Sequence, residues 1–237
     1  MLKDQVALIT GASSGIGKAI TRSLSEAGVS VCIVGRNKKR LHSLSRSFRK
    51  QSVKIFETDL SKENDIEKLT SNIINTFDTL NLLIHSAGYF TMGSFENLSI
   101  DEFDRLYRIN VMAPFLITRN LLPLIKKAKG QIVFINSSAG LQARAKVSQY
   151  AATKHALKAI ADSLREEVNP VGVRVISVFP GRTATPMQKE IHKIEGKIYR
   201  PDLLMQPEDV AEVVLNALRL PRTAEVTDIL IRPMKKT

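Results

Sequence analysis

Tryptophan is absent, and aromatic residues make up only 5% of the 237-residue chain. With 43% hydrophobic residues, the interior must be built from aliphatic side chains. There is one cysteine, Cys32, inside the apolar run VSVCIV. A single cysteine forms no internal disulfide, which excludes a disulfide-stapled scaffold and fits a reducing compartment. Its setting is that of a small buried hydrophobe. No apolar run approaches the roughly 20 residues that span a bilayer. Gln5–Thr10 already reads as a strand, leaving no room before it for a signal peptide. These absences predict a soluble cytoplasmic protein with no membrane partner. Repeats, linkers and low-complexity tracts are missing too, so residues 1–237 read as one domain.

Acidic residues are also scarce. Lys and Arg number 35 against 23 Asp and Glu, a formal charge of +12. Such a balance favours anionic partners: phosphorylated cofactors, acidic carrier proteins or nucleic acid. The cations are spread over Arg36–Arg40, Arg46–Lys50, Lys126–Lys129, Lys189–Arg200 and Lys235–Lys236. No nucleic-acid-binding signature accompanies them, so nucleic acid is not the expected partner. A solvated basic surface is the competing account.

What is present is a repeating strand–helix pattern. Gln5–Thr10, Val29–Val34, Val53–Thr58, Leu80–His85, Gly130–Asn136, Val173–Val178 and Asp228–Arg232 read as seven strands. Amphipathic stretches lie between them: Ile16, Ile20, Leu24 and Ala27 closed by Gly28; Leu41, Leu44 and Phe48; Ile66, Leu69, Ile73 and Phe77. The alternation predicts an α/β fold, a Rossmann-type doubly wound parallel sheet of seven strands with helices on both faces. At the first strand–helix junction stand Gly11, Gly15 and Gly17, in TGASSGIG. Glycines let a backbone approach phosphates, and the helix amino end supplies free N–H groups and a favourable dipole. That layout binds a dinucleotide pyrophosphate.

The chemistry centres on Ser148–Lys158, SQYAATKHALK. Tyr150 and Lys154, at i and i+4, share one helix face. An ammonium beside a phenol favours the phenolate, so the tyrosine pKa is expected to fall from about 10, as a general acid requires. The strand Gly130–Asn136 delivers Ser137 to its carboxyl end, where ligands of open α/β sheets bind. An exposed surface pair is the plain alternative for Tyr150 and Lys154.

TGASSGIG, spaced G-x-x-x-G-x-G, resembles the cofactor turn of the short-chain dehydrogenase/reductase family, and the family's other motifs follow in order. The chain is similar to its compact, single-domain members, such as carrier-protein ketoacyl reductases. The resemblance implies a cofactor held by Gly11, Ser13, Ser14, Gly15, Ile16 and Gly17. It adds Asp59 and Leu60, Ser86, Ala87 and Gly88, Tyr150 and Lys154, and Pro180, Gly181, Thr183 and Thr185 of the P-G-x-x-x-T turn. Asp59 would contact the adenine; a helix-capping acid is its other role. Relatives usually carry Asn-Asn-Ala-Gly where this chain has His85-Ser86-Ala87-Gly88, and His85 is expected to be a buried, hydrogen-bonded structural residue. The implied catalytic set is Asn110, Ser137, Tyr150 and Lys154, with Asn110 holding a water that connects the lysine to solvent. Family spacing selects Ser137 over its neighbour Ser138.

NAD-dependent relatives place an acid at the end of the second strand. Here Gly35-Arg36-Asn37-Lys38-Lys39-Arg40 stands instead, so the expected cofactor is NADP(H), with Arg36 on the 2′-phosphate. A solvated helix start is the alternative for Arg36.

Ser99-Ile100-Asp101-Glu102 reads as a capping box opening a long helix through Asn110, with Pro114 disturbing it. Residues 186–206 read as an irregular, basic segment, the implied substrate lid, before a last helix opening at Pro207. Tyr150–Val168 is apolar nearly all round, which implies burial on two sides and hence a homo-oligomer, dimer or tetramer. The expected activity is hydride transfer between NADP(H) and a carbonyl or secondary alcohol. The substrate stays open: Arg144 suggests an anionic carrier-bound thioester, and a small ketone, a sugar or a steroid-like alcohol are the others. A non-catalytic NADP(H)-binding regulator and a nucleic-acid binder are the rival functions.

Overall fold

A computed structural model describes residues 2–48 and 53–235; the basic clusters Arg46–Lys50 and Lys235–Lys236 lie partly outside them. Seven strands form one parallel sheet in the order β3-β2-β1-β4-β5-β6-β7. They are β1 (Val6–Thr10), β2 (Ser30–Gly35), β3 (Val53–Glu57), β4 (Leu82–His85), β5 (Gln131–Ile135), β6 (Arg174–Pro180) and β7 (Asp228–Ile231). β1 pairs with β2 on one side (Val6 opposite Ser30) and β4 on the other (Ala7 opposite Leu82). The chain reverses its direction of travel between those neighbours. The carboxyl ends of β1 and β4 therefore splay their loops apart and open a crevice, the place where such sheets bind ligands.

The helices cover both faces. α1 (Gly15–Glu26), α2 (Lys38–Ser45) and α8 (Pro207–Arg219) pack on one side through Ile20, Leu24, Leu41, Val210 and Val214. α3 (Glu63–Thr76), α5 (Ala113–Ala128) and α6 (Ser148–Val168) pack on the other through Ile66, Ile73, Ile117, Leu121 and Leu157. The largest fully buried side chains are Phe134, Phe179 and a set of Leu and Ile, so the core is aliphatic as the missing tryptophan requires. Cys32 lies in it, and burial pushes its thiol up to about 12. No helix among the described residues is long and apolar enough to cross a membrane.

Three local expectations change. The long helix is α4 (Ile100–Tyr107), a π turn over Arg108–Met112, and then α5. Pro114 has no N–H for the Asn110 carbonyl four residues back, so an ordinary α turn cannot close there. The capping box is half made. Ser99 accepts from the Glu102 N–H, but the Glu102 carboxylate takes the Tyr89 hydroxyl at 2.5 Å instead of returning to Ser99. The segment read as irregular starts with a helix, α7 (Pro186–Ile194). Thr185 caps it by accepting from the Gln188 N–H at 3.1 Å, and Pro186 fits the first turn.

Candidate active site

The glycine turn after β1 is shaped by what presses on it. Gly11 (φ +68°) and Gly15 (φ +52°) occupy the left-handed region. A Cβ on Gly11 would stand 2.7 Å from the Ala87 backbone, and one on Gly17 would stand 2.5 Å from the Gly11 carbonyl oxygen. The turn, α1 and the loop after β4 thus touch backbone to backbone. Thr10 reinforces this: its hydroxyl accepts from the N–H groups of Ser86 and Ala87, 3.2 Å each. Nothing in the sequence marked Thr10, which reads as one more strand residue. The N-cap Ser14 leaves the first N–H groups of α1 without a side-chain acceptor, and no acid stands in its first turn. Ile16 packs half-buried against the core. An uncapped helix end over a glycine cradle fits a pyrophosphate.

Around this cradle the other expected cofactor residues fall into place unevenly. Arg36 is exposed, and its charge helps to lower the pKa of Asp59, which accepts from the Ser61 N–H (3.1 Å) and hydroxyl (2.8 Å). Asp59 therefore shapes a turn before α3 rather than capping the helix itself. The Leu60 side chain is buried in the core. Pro180 ends β6, Gly181 donates to Ile231, and buried Thr183 donates to the Gly181 carbonyl at 3.1 Å. Thr185 lays its methyl 3.0 Å from the position of a Gly15 Cβ, and Met187 reaches within 3.8 Å of one on Gly88. Ser13 lies near Gly35 at the end of β2, and Ser86 against Gly17.

On the far wall, β5 and α6 bring Ser137, Tyr150 and Lys154 together. A hydrogen bond with Ser137 favours the Tyr150 phenolate, and Ser138 is exposed. The Lys154 ammonium stands 5.8 Å from the centre of the Tyr150 ring and donates to the Ile135 carbonyl at 3.2 Å. Asn136 fixes that turn of α6 by donating to the Lys154 carbonyl at 3.0 Å. The electrostatics run against expectation. Burial pushes Tyr150 up to about 12 and Lys154 down to about 8, because neither charge is solvated in its place. For Tyr150, desolvation outweighs the hydrogen bond with Ser137.

Asn110 has partners of its own in the protein. Its amide accepts from the Tyr89 N–H at 2.8 Å and donates to the Tyr89 carbonyl (2.9 Å) and the Thr153 hydroxyl (3.1 Å). Both donors are taken, so the side chain ties the loop after β4 to α6. Pro114, four residues on, offers the Asn110 backbone carbonyl no N–H. Phe90, the next residue of that loop, meets the Tyr150 ring edge-on at 4.8 Å. Neither Tyr89 nor Phe90 carried a signal in the sequence. His85 does what was expected of it: it is buried, bonds Thr118 at 2.8 Å and stacks on Phe134 at 4.9 Å.

Parallel strand order, glycine cradle and crevice make this a Rossmann-type fold with a Ser–Tyr–Lys cluster on one wall, its tyrosine and lysine buried. The sequence pattern of the short chain dehydrogenases matches residues 5–196, and the chain belongs to that family of oxidoreductases. An uncharacterized oxidoreductase of Staphylococcus aureus is 32% identical over 235 residues, 99% of each chain. A metagenomic short-chain oxidoreductase solved with NADP is 28% identical over 99% of each chain, with a TM-score of 0.85. An alcohol dehydrogenase of the archaeon Thermococcus sibiricus, complexed with 5-hydroxy-NADP, is 25% identical over 98% of each chain, with a TM-score of 0.89.

Proposed function

We propose that residues 1–237 form one dinucleotide-binding and catalytic domain that reduces a carbonyl, or oxidises a secondary alcohol, with NADP(H). The observation that carries the reading is the convergence of Ser137, Tyr150 and Lys154 beside the glycine cradle. Gly11, Gly15 and Gly17 with the α1 amino end would hold the pyrophosphate, Arg36 the 2′-phosphate, and Pro180–Thr185 the nicotinamide end. When bound, the cofactor supplies a hydride, with its electron pair, to the carbonyl carbon. Tyr150 gives its proton to the carbonyl oxygen, and Ser137 orients that oxygen by hydrogen bonding. A hydroxyl held near 12 in the free protein is fully protonated at neutral pH, as an acid must be. Lys154, near 8, still carries its proton at pH 7 and stabilises the phenolate as it forms.

Similarity to NADP complexes and the basic segment after β2 support NADP(H) over NAD(H). A Cβ on Gly35 would meet only Leu41 and Ser13 side chains, at 3.5 Å, so an acid fits there. Wild type is expected to bind NADPH about tenfold to hundredfold more tightly than NADH, the range of a charge-assisted bond. Gly35→Asp with Arg36→Gln is expected to reverse the order. Fluorescence titration of both cofactors on both proteins decides it; equal wild-type affinities would make Arg36 a surface residue.

A further inference from the structure

The segment that follows the Pro180–Thr185 turn is fastened at three places. Its neck is closed where Ala184 donates to the Met205 carbonyl (2.8 Å) and Met205 to the Arg182 carbonyl (3.3 Å). Its tip, the start of α7, lies across the crevice, with Thr185 over Gly15 and Met187 over Gly88. The third fastening is at the far end of α7. There the Arg182 guanidinium leaves the turn and grips both oxygens of Glu195, at 2.7 and 2.9 Å. Lys197 adds a contact to the same carboxylate at 3.2 Å. The Glu195 side chain is only 18% exposed, so this pair is better shielded than the Arg105–Glu102 pair on α4. Arg182 makes both bonds through one nitrogen. The other, Nη1, is buried and meets no acceptor among the described residues.

We propose that the Arg182–Glu195 pair is a latch that holds residues 186–205 over the crevice, and that Arg182 is a positioning residue for the nicotinamide cofactor; the second half rests on the function proposed above. Buried Gln188 and His192 anchor the middle of α7, and the pair is the fastening that ties its far end back to the Pro180–Thr185 turn. A buried donor without a partner is costly. An acceptor arriving with the bound molecule satisfies Nη1, so filling the crevice and closing the latch favour each other.

Trypsin reads the latch directly, because Lys189, Lys193 and Lys197 lie in the segment. In the free protein, Arg182→Met and Glu195→Ala are each expected to speed cleavage at these sites about tenfold, and the double variant no more than the faster single. Cleavage elsewhere is expected to be unchanged, apart from the site at Arg182 that Arg182→Met itself removes. Equal rates in wild type and variants, or additive effects, overturn the latch. Should Glu195→Ala unfold and be cut everywhere, Glu195→Gln, which keeps shape and a weaker bond, is expected to give an intermediate rate confined to the segment; a wild-type rate overturns the latch. NADPH is expected to protect wild type from cleavage and to leave both single variants about tenfold faster in stopped-flow release. Unchanged release overturns the positioning role. Absence of protection of wild type by NADPH overturns the cofactor reading, while cleavage of the free protein still decides the latch.

Discussion

A phenol in water titrates near 10, and inside this chain Tyr150 is pushed up to about 12 by burial against Phe90 and the α6 turn. The hydroxyl is thus the one polar part of an otherwise packed ring. Tyr150→Phe is expected to keep NADPH affinity and lower turnover on any accepted carbonyl by about 10²–10⁴-fold; undiminished kcat would remove Tyr150 from the chemistry. His85 makes a different statement about charge. Burial pushes it down to about 3 from an ordinary 6.5. Between those values the unfolded chain holds more protons than the folded one, so stability falls as pH drops through that window. The expected slope is up to about 1.4 kcal/mol per pH unit. His85→Asn is expected to be less stable at pH 7 but to flatten that acid slope, which melting temperatures between pH 7 and 4 will show. The tyrosine, lysine and serine were legible because their types and spacing are the chemistry. Thr10, Tyr89 and Phe90 were not, because their work is set by partners far along the chain: 74 to 77 residues for the bonds of Thr10, 21 for those that join Tyr89 to Asn110.

Elements were read well where one physical cause decides them. Buried parallel strands are apolar runs whatever their neighbours, and the glycine turn announces its helix. α1 depends on that turn: Gly17→Ala would drive a methyl into the Gly11 carbonyl, and the helix must slide off β1. The expected loss is about 1–3 kcal/mol with weaker NADPH binding, checked by denaturant titration and fluorescence. Gly11→Ala adds strain of another kind, since its φ of +68° suits no methyl-bearing residue. Reading failed where two causes compete. Over Arg108–Met112 the reading was partial: Pro114 was expected to disturb the helix and does, while the form of the disturbance, a π turn, was not read. In α7, five charged or polar positions and one glycine beyond suggest coil, yet the Thr185 cap, the Pro186 start and the Arg182–Glu195 pair favour helix.

At the scale of the whole molecule, α6 is the unfinished surface. Ala152, His155, Ala159 and Ser163 are exposed, flanked by half-buried Ala156 and Ile160. We propose that a second copy of the chain covers this strip, small side chains allowing close helix contact, to give a dimer or tetramer. Light scattering is expected to show more than one chain for wild type and one for Ala159→Arg; a monomeric wild type would end the proposal.

The strand order has a further consequence, in time rather than in space. β1, β2 and β3 leave the ribosome consecutively and can pair at once. The inner edge of β1, however, waits for β4, whose first residue Leu82 pairs with Ala7 75 positions away. Until that strand is made, Val6–Thr10 presents unpaired backbone groups on an apolar ribbon. The nascent half-sheet is therefore the sticky stage in this chain's life. Loss of yield on crowded synthesis or concentrated refolding will come from association at that edge, before any crevice exists.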